Sequence, residues 1–306
     1  MSTIAIALHG GAGDRNRTTT TPQQEQDLCN GIADAMDAGY EILKNGGSSI
    51  EAIERAIMIM EERPCFNAGI GAALTEFGTV ELDAGIMEGT NRNVGAIAGV
   101  QRIKSPIKAA RYVMEHTPQV LLIGTRAEEF LSKAGLEMVE PEYFITEENQ
   151  RLLEKILAEQ QATLQQHTEK VVLGTVGVVA LDSNGNLAAG NSTGGMMNKR
   201  SGRVGDTPIA GAGMYARNGV CAVAATGYGE YFIRTSAAHE VYAQVRYAHT
   251  DISTACNNVL ADIQTLGGRG GLIALDANGN TTLPFTTSSM ARGAINANGE
   301  RIVELW

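Results

Sequence analysis

A threonine hydroxyl is a weak nucleophile when no base stands beside it, and Thr175 sits where a chain break would supply one. It follows Gly174 at the seam between a polar, glycine-free stretch and the apolar run Thr175-Val176-Gly177-Val178-Val179-Ala180-Leu181. Cleavage of the Gly174–Thr175 peptide would make Thr175 N-terminal, with its own α-amine as base. An unperturbed α-amine titrates near ~7.7–8.0, so a good fraction is neutral at physiological pH. Three further segments set polar groups among glycines that let backbone N–H groups approach a ligand: Ser192-Thr193-Gly194-Gly195, Gly202-Arg203-Val204-Gly205-Asp206 and Thr226-Gly227-Tyr228-Gly229-Glu230.

Two other readings compete. Gly190-Asn191-Ser192-Thr193-Gly194 satisfies the GxSxG pattern of a serine-esterase nucleophile elbow, His9-Gly10-Gly11 resembles an esterase oxyanion motif, and His239 and His249 lie downstream. That pattern makes Ser192 a rival nucleophile. An elbow runs from strand straight into helix, whereas Gly194-Gly195 leads into more glycine-rich chain. The second rival is an uncleaved, non-enzymatic protein that binds a small molecule.

The elements that must position these groups can be read from pattern. A buried strand over residues 3–9 ends in His9-Gly10-Gly11-Ala12-Gly13; helices over about 22–45 and 48–62 follow, with Gly46-Gly47 as the stop and Ser48 as N-cap. Strands near 79–88 and 94–102 join across Glu88-Gly89-Thr90-Asn91, and helices near 106–116 and 126–134 come next. Leu136 to Leu173 holds no glycine, and residues 146–168, rich in Glu, Gln and Leu, read as an exposed helix or part of a mobile linker of about 136–174. Two similar hairpins turn at Asn184-Gly185 and Asn278-Gly279, separated by helices near 230–247 and 252–265. Their Asp-x-Asn-Gly-Asn turns lack the terminal Glu of a calcium loop. Strands at the ends of each half with helices between imply an α+β layered fold with a largely antiparallel sheet.

Composition sets the limits. The chain has 306 residues, 43% of them hydrophobic, enough for a full core, and aromatics are only 5%, so small side chains should dominate the packing. Residues 1–174 hold 15 Lys+Arg against 25 Asp+Glu, and residues 175–306 hold 9 of each. That acidic balance argues against nucleic acid or an anionic membrane as partner, because phosphate attraction needs clustered positive charge. Cys29, Cys65, Cys221 and Cys256 form neither a CxxC pair nor a metal-ligand spacing. With no leader-like N-terminus and no apolar run of 18 residues, a cytoplasmic protein is expected.

The order and spacing of His9-Gly10-Gly11-Ala12-Gly13, Phe66-Asn67-Ala68-Gly69-Ile70-Gly71, Glu81-Leu82-Asp83-Ala84, Gly174-Thr175-Val176-Gly177 and the three polar segments are highly specific. Together they make the chain resemble, over nearly its whole length, the plant-type L-asparaginases, or isoaspartyl peptidases, of the N-terminal-nucleophile hydrolases. The resemblance implies one four-layer αββα sandwich, self-cut into an α subunit (1–174) and a β subunit (175–306), hydrolysing L-asparagine and β-aspartyl dipeptides. It implies Thr175 as nucleophile in both self-cleavage and turnover, Thr193 beside it, and Arg203 and Asp206 gripping the substrate α-carboxylate and α-amine. It also implies Thr226 and Gly227 as oxyanion hole, Gly229 near the substrate amine, and Asn67 supporting the nucleophile from the other half. No cofactor is expected for catalysis. A structural sodium ion would rest on the carbonyls of Met60, Glu61, Arg63, Phe66, Ala68 and Ile70, and two processed units would pair as (αβ)₂. Gln119 stands where relatives often show His, which puts potassium-linked activation in doubt.

Overall fold

The computed structural model describes residues 3–163 and 174–306. Strand β1 (Ala5–Gly13) is buried along its whole length and runs on through the glycines, past the end expected at His9, with a register shift between His9 and Ala12. Helix α1 (Pro22–Lys44) begins in a capping box of Thr21 and Gln24 with a proline at its start, and α2 (Ser49–Glu61) begins in a second one of Ser48 and Glu51. Then come β2 (Leu82–Glu88), β3 (Val94–Val100), α3 (Pro106–His116), the short β4 (Leu121–Ile123), α4 (Gly124–Lys133) and α5 (Glu147–Thr163). The second half holds β5 (Val176–Leu181), β6 (Leu187–Thr193), β7 (Met214–Arg217), β8 (Cys221–Gly227), α6 (Gly229–Thr235), α7 (Ala237–Tyr247) and α8 (Ile252–Thr265). It ends with β9 (Gly270–Asp276), β10 (Thr281–Thr282), β11 (Ser289–Ile295) and β12 (Arg301–Glu304).

Eight strands form one sheet in the order β12-β11-β1-β5-β6-β2-β3-β4, and four form another in the order β10-β9-β8-β7. Every pairing within these sheets is antiparallel except β3 with β4. In the larger sheet the strands of the two halves alternate: β1 lies between β11 and β5, and β6 pairs with β2.

Side-chain alternation along β1 shows how the layers are made. Ile6 and Leu8 point into a core with Ile32 and Met36 of α1 and Ile53 and Ile57 of α2. Ala5 and Ala7 point the other way, into a core between the sheets with Val179, Leu181, Ala189, Ala224, Ile273 and Leu275. On the far face of the smaller sheet, Val223, Ala225, Leu272 and Ala274 pack against Phe232, Val241, Leu260 and Ile263 of α6, α7 and α8. The alanines between the sheets are the small-residue packing the composition implied. Mixed sheets and helices agree with the α+β expectation.

Four differences from the sequence reading have local causes. The segment read as an exposed helix or mobile linker is helix through Thr163, docked by the buried Leu153 and Ile156 at i,i+3 spacing; residues 164–173 lie outside the described residues. The helix expected over 230–247 is two, broken where Ser236 adopts φ 50° and ψ 44°. The second strand of the hairpin expected at Asn278-Gly279 is only two residues long, with Leu283 to Thr287 left irregular. Strands β4, β7, β8, β11 and β12 carry no clear alternation of their own. The twin turns do match: the carboxylates of Asp182 and Asp276 each accept from two backbone N–H groups of their own turn, at 2.9–3.0 Å.

Gly95 on β3 lets α3 lie directly on the sheet, since a Cβ there would overlap the Ala110 carbonyl and Met114 backbone. Gly95→Ala should therefore destabilise the fold by about 1–3 kcal/mol, read as a lower urea midpoint with an unchanged slope.

Candidate active site

Thr175 stands just ahead of β5, which is hydrogen-bonded along both edges, with Gly177 opposite His9 of β1 and Asn191 of β6. This fixes its side chain in a small cavity shared with Thr193, Arg203, Asp206, Thr207 and Gly227, and closed by Gly174. The volume is about 10 Å³, roughly one water sphere.

Thr193 ends β6, and the alternation of that strand turns Ser192 the opposite way. The Ser192 hydroxyl is wholly buried and donates to Glu61 Oε1 at 2.7 Å, and no helix follows β6. Ser192 is thus a structural ligand of Glu61 and cannot be the nucleophile of an elbow. Glu61 also accepts from Ser105 Oγ (2.6 Å) and Ile107 N (2.9 Å), and burial pushes its carboxyl up to about 7 against those hydrogen bonds.

The hydroxyl of Thr193 accepts from Gly195 N at 3.0 Å, which shapes the Gly194–Gly195 turn. Asn67 holds that turn from the first half of the chain: its Nδ2 donates to Gly195 O (2.6 Å), its own carbonyl accepts from Gly194 N (3.1 Å), and its Oδ1 accepts from Ala73 N (2.7 Å). It supports the wall of the threonine cavity without lining it. The hydroxyl closest in role to Thr175 is one the sequence reading passed over, Thr207, whose Oγ1 lies 3.0 Å from Thr175 Oγ1.

Arg203 and Asp206 come from a loop pinned to β2's approach, where Glu81 Oε2 accepts from Gly202 N (2.9 Å) and Glu81 O accepts from the buried Lys199 Nζ (2.7 Å). Arg203 makes a two-pronged pair with Glu230, Nε to Oε1 at 2.8 Å and Nη2 to Oε2 at 2.9 Å. Glu230 is the second residue the sequence reading missed, although it closes a quoted segment. Asp206 is 3% exposed, and its Oδ2 has no hydrogen-bond partner among the described residues. Burial raises its carboxyl to about 7, opposed by the Arg203 charge. Such a carboxylate is poised to receive a cation.

Thr226 ends β8 outside the cavity lining but against it. Its Oγ1 accepts from Ala12 N at 3.2 Å, which leaves the O–H free to donate, and a Cβ on Gly174 would overlap that oxygen. Gly227 lines the cavity with φ 143°, a conformation few other residues adopt. Gly229 does not line it; it makes room for Asp206, since a Cβ there would lie 2.6 Å from Oδ1.

His9 is the third residue missed. It is fully buried, neither ring nitrogen has a hydrogen-bond partner at normal geometry among the described residues, and desolvation pulls it down to about 3, opposed by the Thr175 backbone. It is neutral at any working pH.

In the loop proposed for sodium, the carbonyls of Met60, Glu61 and Arg63 already accept from Arg63 N, Ile70 N and Phe66 N at 2.8–3.2 Å. Each keeps a second lone pair, and Pro64 O and Phe66 O turn in toward Gly71. The donor set suits a hard monovalent cation, and no cluster of three His, Cys, Asp or Glu occurs among the described residues.

A threonine just ahead of a strand shares a small cavity with an arginine and a carboxylate, and comparison with known proteins is specific. The Asparaginase family matches residues 2–304, and the chain belongs to that family. It is 45% identical to the isoaspartyl peptidase of Escherichia coli (strain K12), over 95% of this chain and 92% of that protein. It is 42% identical to that of Salmonella typhimurium over 95% of each, and 39% identical to the isoaspartyl peptidase/L-asparaginase of Rattus norvegicus over 97% of this chain and 87% of that one.

The Asp206 carboxyl is raised above its ordinary value near 3.8, so between about 4 and 7 the folded chain holds a proton that the unfolded chain gives up. Its contribution makes stability fall as pH rises through that window. Asp206→Asn should remove that part of the slope, measured as the difference between urea midpoints of the two proteins at pH 5 and pH 7.5.

Proposed function

We propose that this chain is a self-processing amidohydrolase that uses an N-terminal Thr175 to hydrolyse the side-chain amide of L-asparagine and the isopeptide bond of β-aspartyl dipeptides. The names of its relatives support the substrate class, and the stacking of helices, two facing sheets and helices supports a four-layer αββα sandwich of the N-terminal-nucleophile kind. The observation that carries the reading is the closed threonine cavity. Its polar groups are those the reaction needs, yet at about 10 Å³, with Gly174 in its lining, it has no room for a substrate.

In the first reaction Thr175 Oγ1 attacks the Gly174 carbonyl carbon, the Gly174–Thr175 C–N bond breaks as an ester forms, and water hydrolyses the ester. The amine of Thr175 is then free and the cavity is open. In turnover Arg203 would hold the α-carboxylate of the β-aspartyl group by a charge-assisted fork and Asp206 its ammonium. Thr175 Oγ1 attacks the side-chain carbonyl, its own amine takes the hydroxyl proton, and that proton goes to the departing ammonia or amino acid. The Thr226 hydroxyl and Gly227 N–H would meet the developing oxyanion. Water attacks the acyl-threonine and aspartate leaves. The Thr207 and Thr193 hydroxyls orient the nucleophile and the turn beside it.

Two processed units would pair as (αβ)₂, and a sodium ion would brace the Met60–Ile70 loop, stiffening the approach to Asn67. The free cysteines suit a reducing, cytoplasmic compartment.

Purified protein should run as two fragments, the second starting at Thr175 by N-terminal sequencing, and Thr175→Ala should stay one chain; an active protein still intact ahead of residue 175 overturns the reading. Gly174→Val should slow cleavage at least tenfold, because its side chain would collide with the Thr226 hydroxyl. Arg203→Ala should self-cleave yet lose about 10²-fold or more in kcat/KM for L-asparagine.

A further inference from the structure

A second cavity, of about 170 Å³, adjoins the threonine cavity across Asn67. Asn67 lines it and donates to Gly195, which lines the first, and the consecutive Met196 and Met197 face one cavity each. Arg15 enters it from the chain just beyond β1, near the point where Gly11 packs against the Gly174 backbone.

The Arg15 guanidinium makes no hydrogen bond or ion pair among the described residues. Burial lowers its pKa, and the charges acting on it are those of Glu148 and Cys65. Burial pushes the Cys65 thiol up to about 11, so it is neutral at working pH. Arg15 is only partly buried, and a guanidinium left there without a partner can receive an anion. The rest of the wall is half aliphatic, through Leu28, Pro64, Leu152 and Met197, and half polar, with Asp27 and Glu148 as its carboxylates.

We propose that this cavity is the subsite for the leaving residue of β-aspartyl dipeptides, with Arg15 receiving that residue's α-carboxylate and the aliphatic wall its side chain. The inference rests on the hydrolytic reading above and extends it to leaving-group choice. Asp27 and Glu148 would repel a second negative charge, so neutral aliphatic leaving residues are favoured over acidic ones. Ammonia leaving from L-asparagine fills none of this space and does not sense Arg15.

The test compares kcat/KM of matured wild type, Arg15→Ala and Arg15→Lys on L-asparagine, β-Asp-Leu, β-Asp-Glu and β-Asp-leucinamide. Arg15→Ala should lose about 10- to 100-fold on β-Asp-Leu, mostly in KM, while L-asparagine turnover stays within twofold. Arg15→Lys should recover part of the loss. Wild type should handle the leucinamide, which lacks the carboxylate, about as poorly as Arg15→Ala handles β-Asp-Leu, and this arm needs no folded variant. Equal losses on L-asparagine and β-Asp-Leu, or a leucinamide as good as the acid, overturn the subsite while leaving the hydrolytic reading intact. Wild type inactive on every substrate overturns both.

Discussion

The antiparallel pairing of β5 with β1 on one edge and β6 on the other is the constraint from which the site follows. With Gly177 opposite both His9 and Asn191, the residue two places earlier has no freedom to slide, because a shift of one would turn every side chain of the strand over. Glycine makes the arrangement close. A Cβ on Gly177 would overlap His9 Nε2 and Asn191 Oδ1, and one on Gly11 would overlap the Gly174 carbonyl. The Gly174–Thr175 peptide is thus held by backbone packing before any side chain acts on it.

Charge is managed differently on the two sides of the threonine. Arg203 is compensated on its own side by Glu230, whereas Asp206 is buried with an unengaged oxygen and a raised pKa. The Oδ2 of Asp206 has no hydrogen-bond partner among the described residues, and in the proposed reaction a substrate ammonium would take that place. Burial raises Glu61 to a similar pKa, but there three hydrogen bonds, from Ser105, Ile107 and Ser192, oppose the rise and engage the carboxylate, which serves to join α2, α3 and β6. The two carboxyls show that a perturbed pKa alone does not mark a reacting group.

What could be read from sequence was whatever rests on local chemistry. The N-cap at Ser48 and the twin Asp-x-Asn-Gly-Asn turns act within a few residues, and each appears where expected. The partners of Arg203 and Thr175 depend on folding. Glu230 lies 27 positions from Arg203 and Thr207 lies 32 from Thr175, distances at which spacing carries no information. Nor could the run Ser192-Thr193 reveal which hydroxyl faces the cavity, since that is fixed by which face of β6 meets α2. Strand β8 was hidden because alanine, its commonest residue, favours helix over strand; it forms here by pairing with β7 on one edge and β9 on the other.

The weave of strands in the larger sheet has a consequence for a chain divided before Thr175. The strands of neither fragment would form one unbroken block of the sheet: β1 would stay trapped between two strands from the other fragment, and β6 would stay bonded to β2. Such a protein would be an obligate heterodimer whose members could part only by melting completely. Reassembly would be a second-order encounter between incomplete halves, with no peptide bond to tether them, so recovery after denaturation would depend on concentration where the precursor's would not. Long life in the mature state would then rest on a slow unfolding rate, with refolding in reserve only when the halves are abundant.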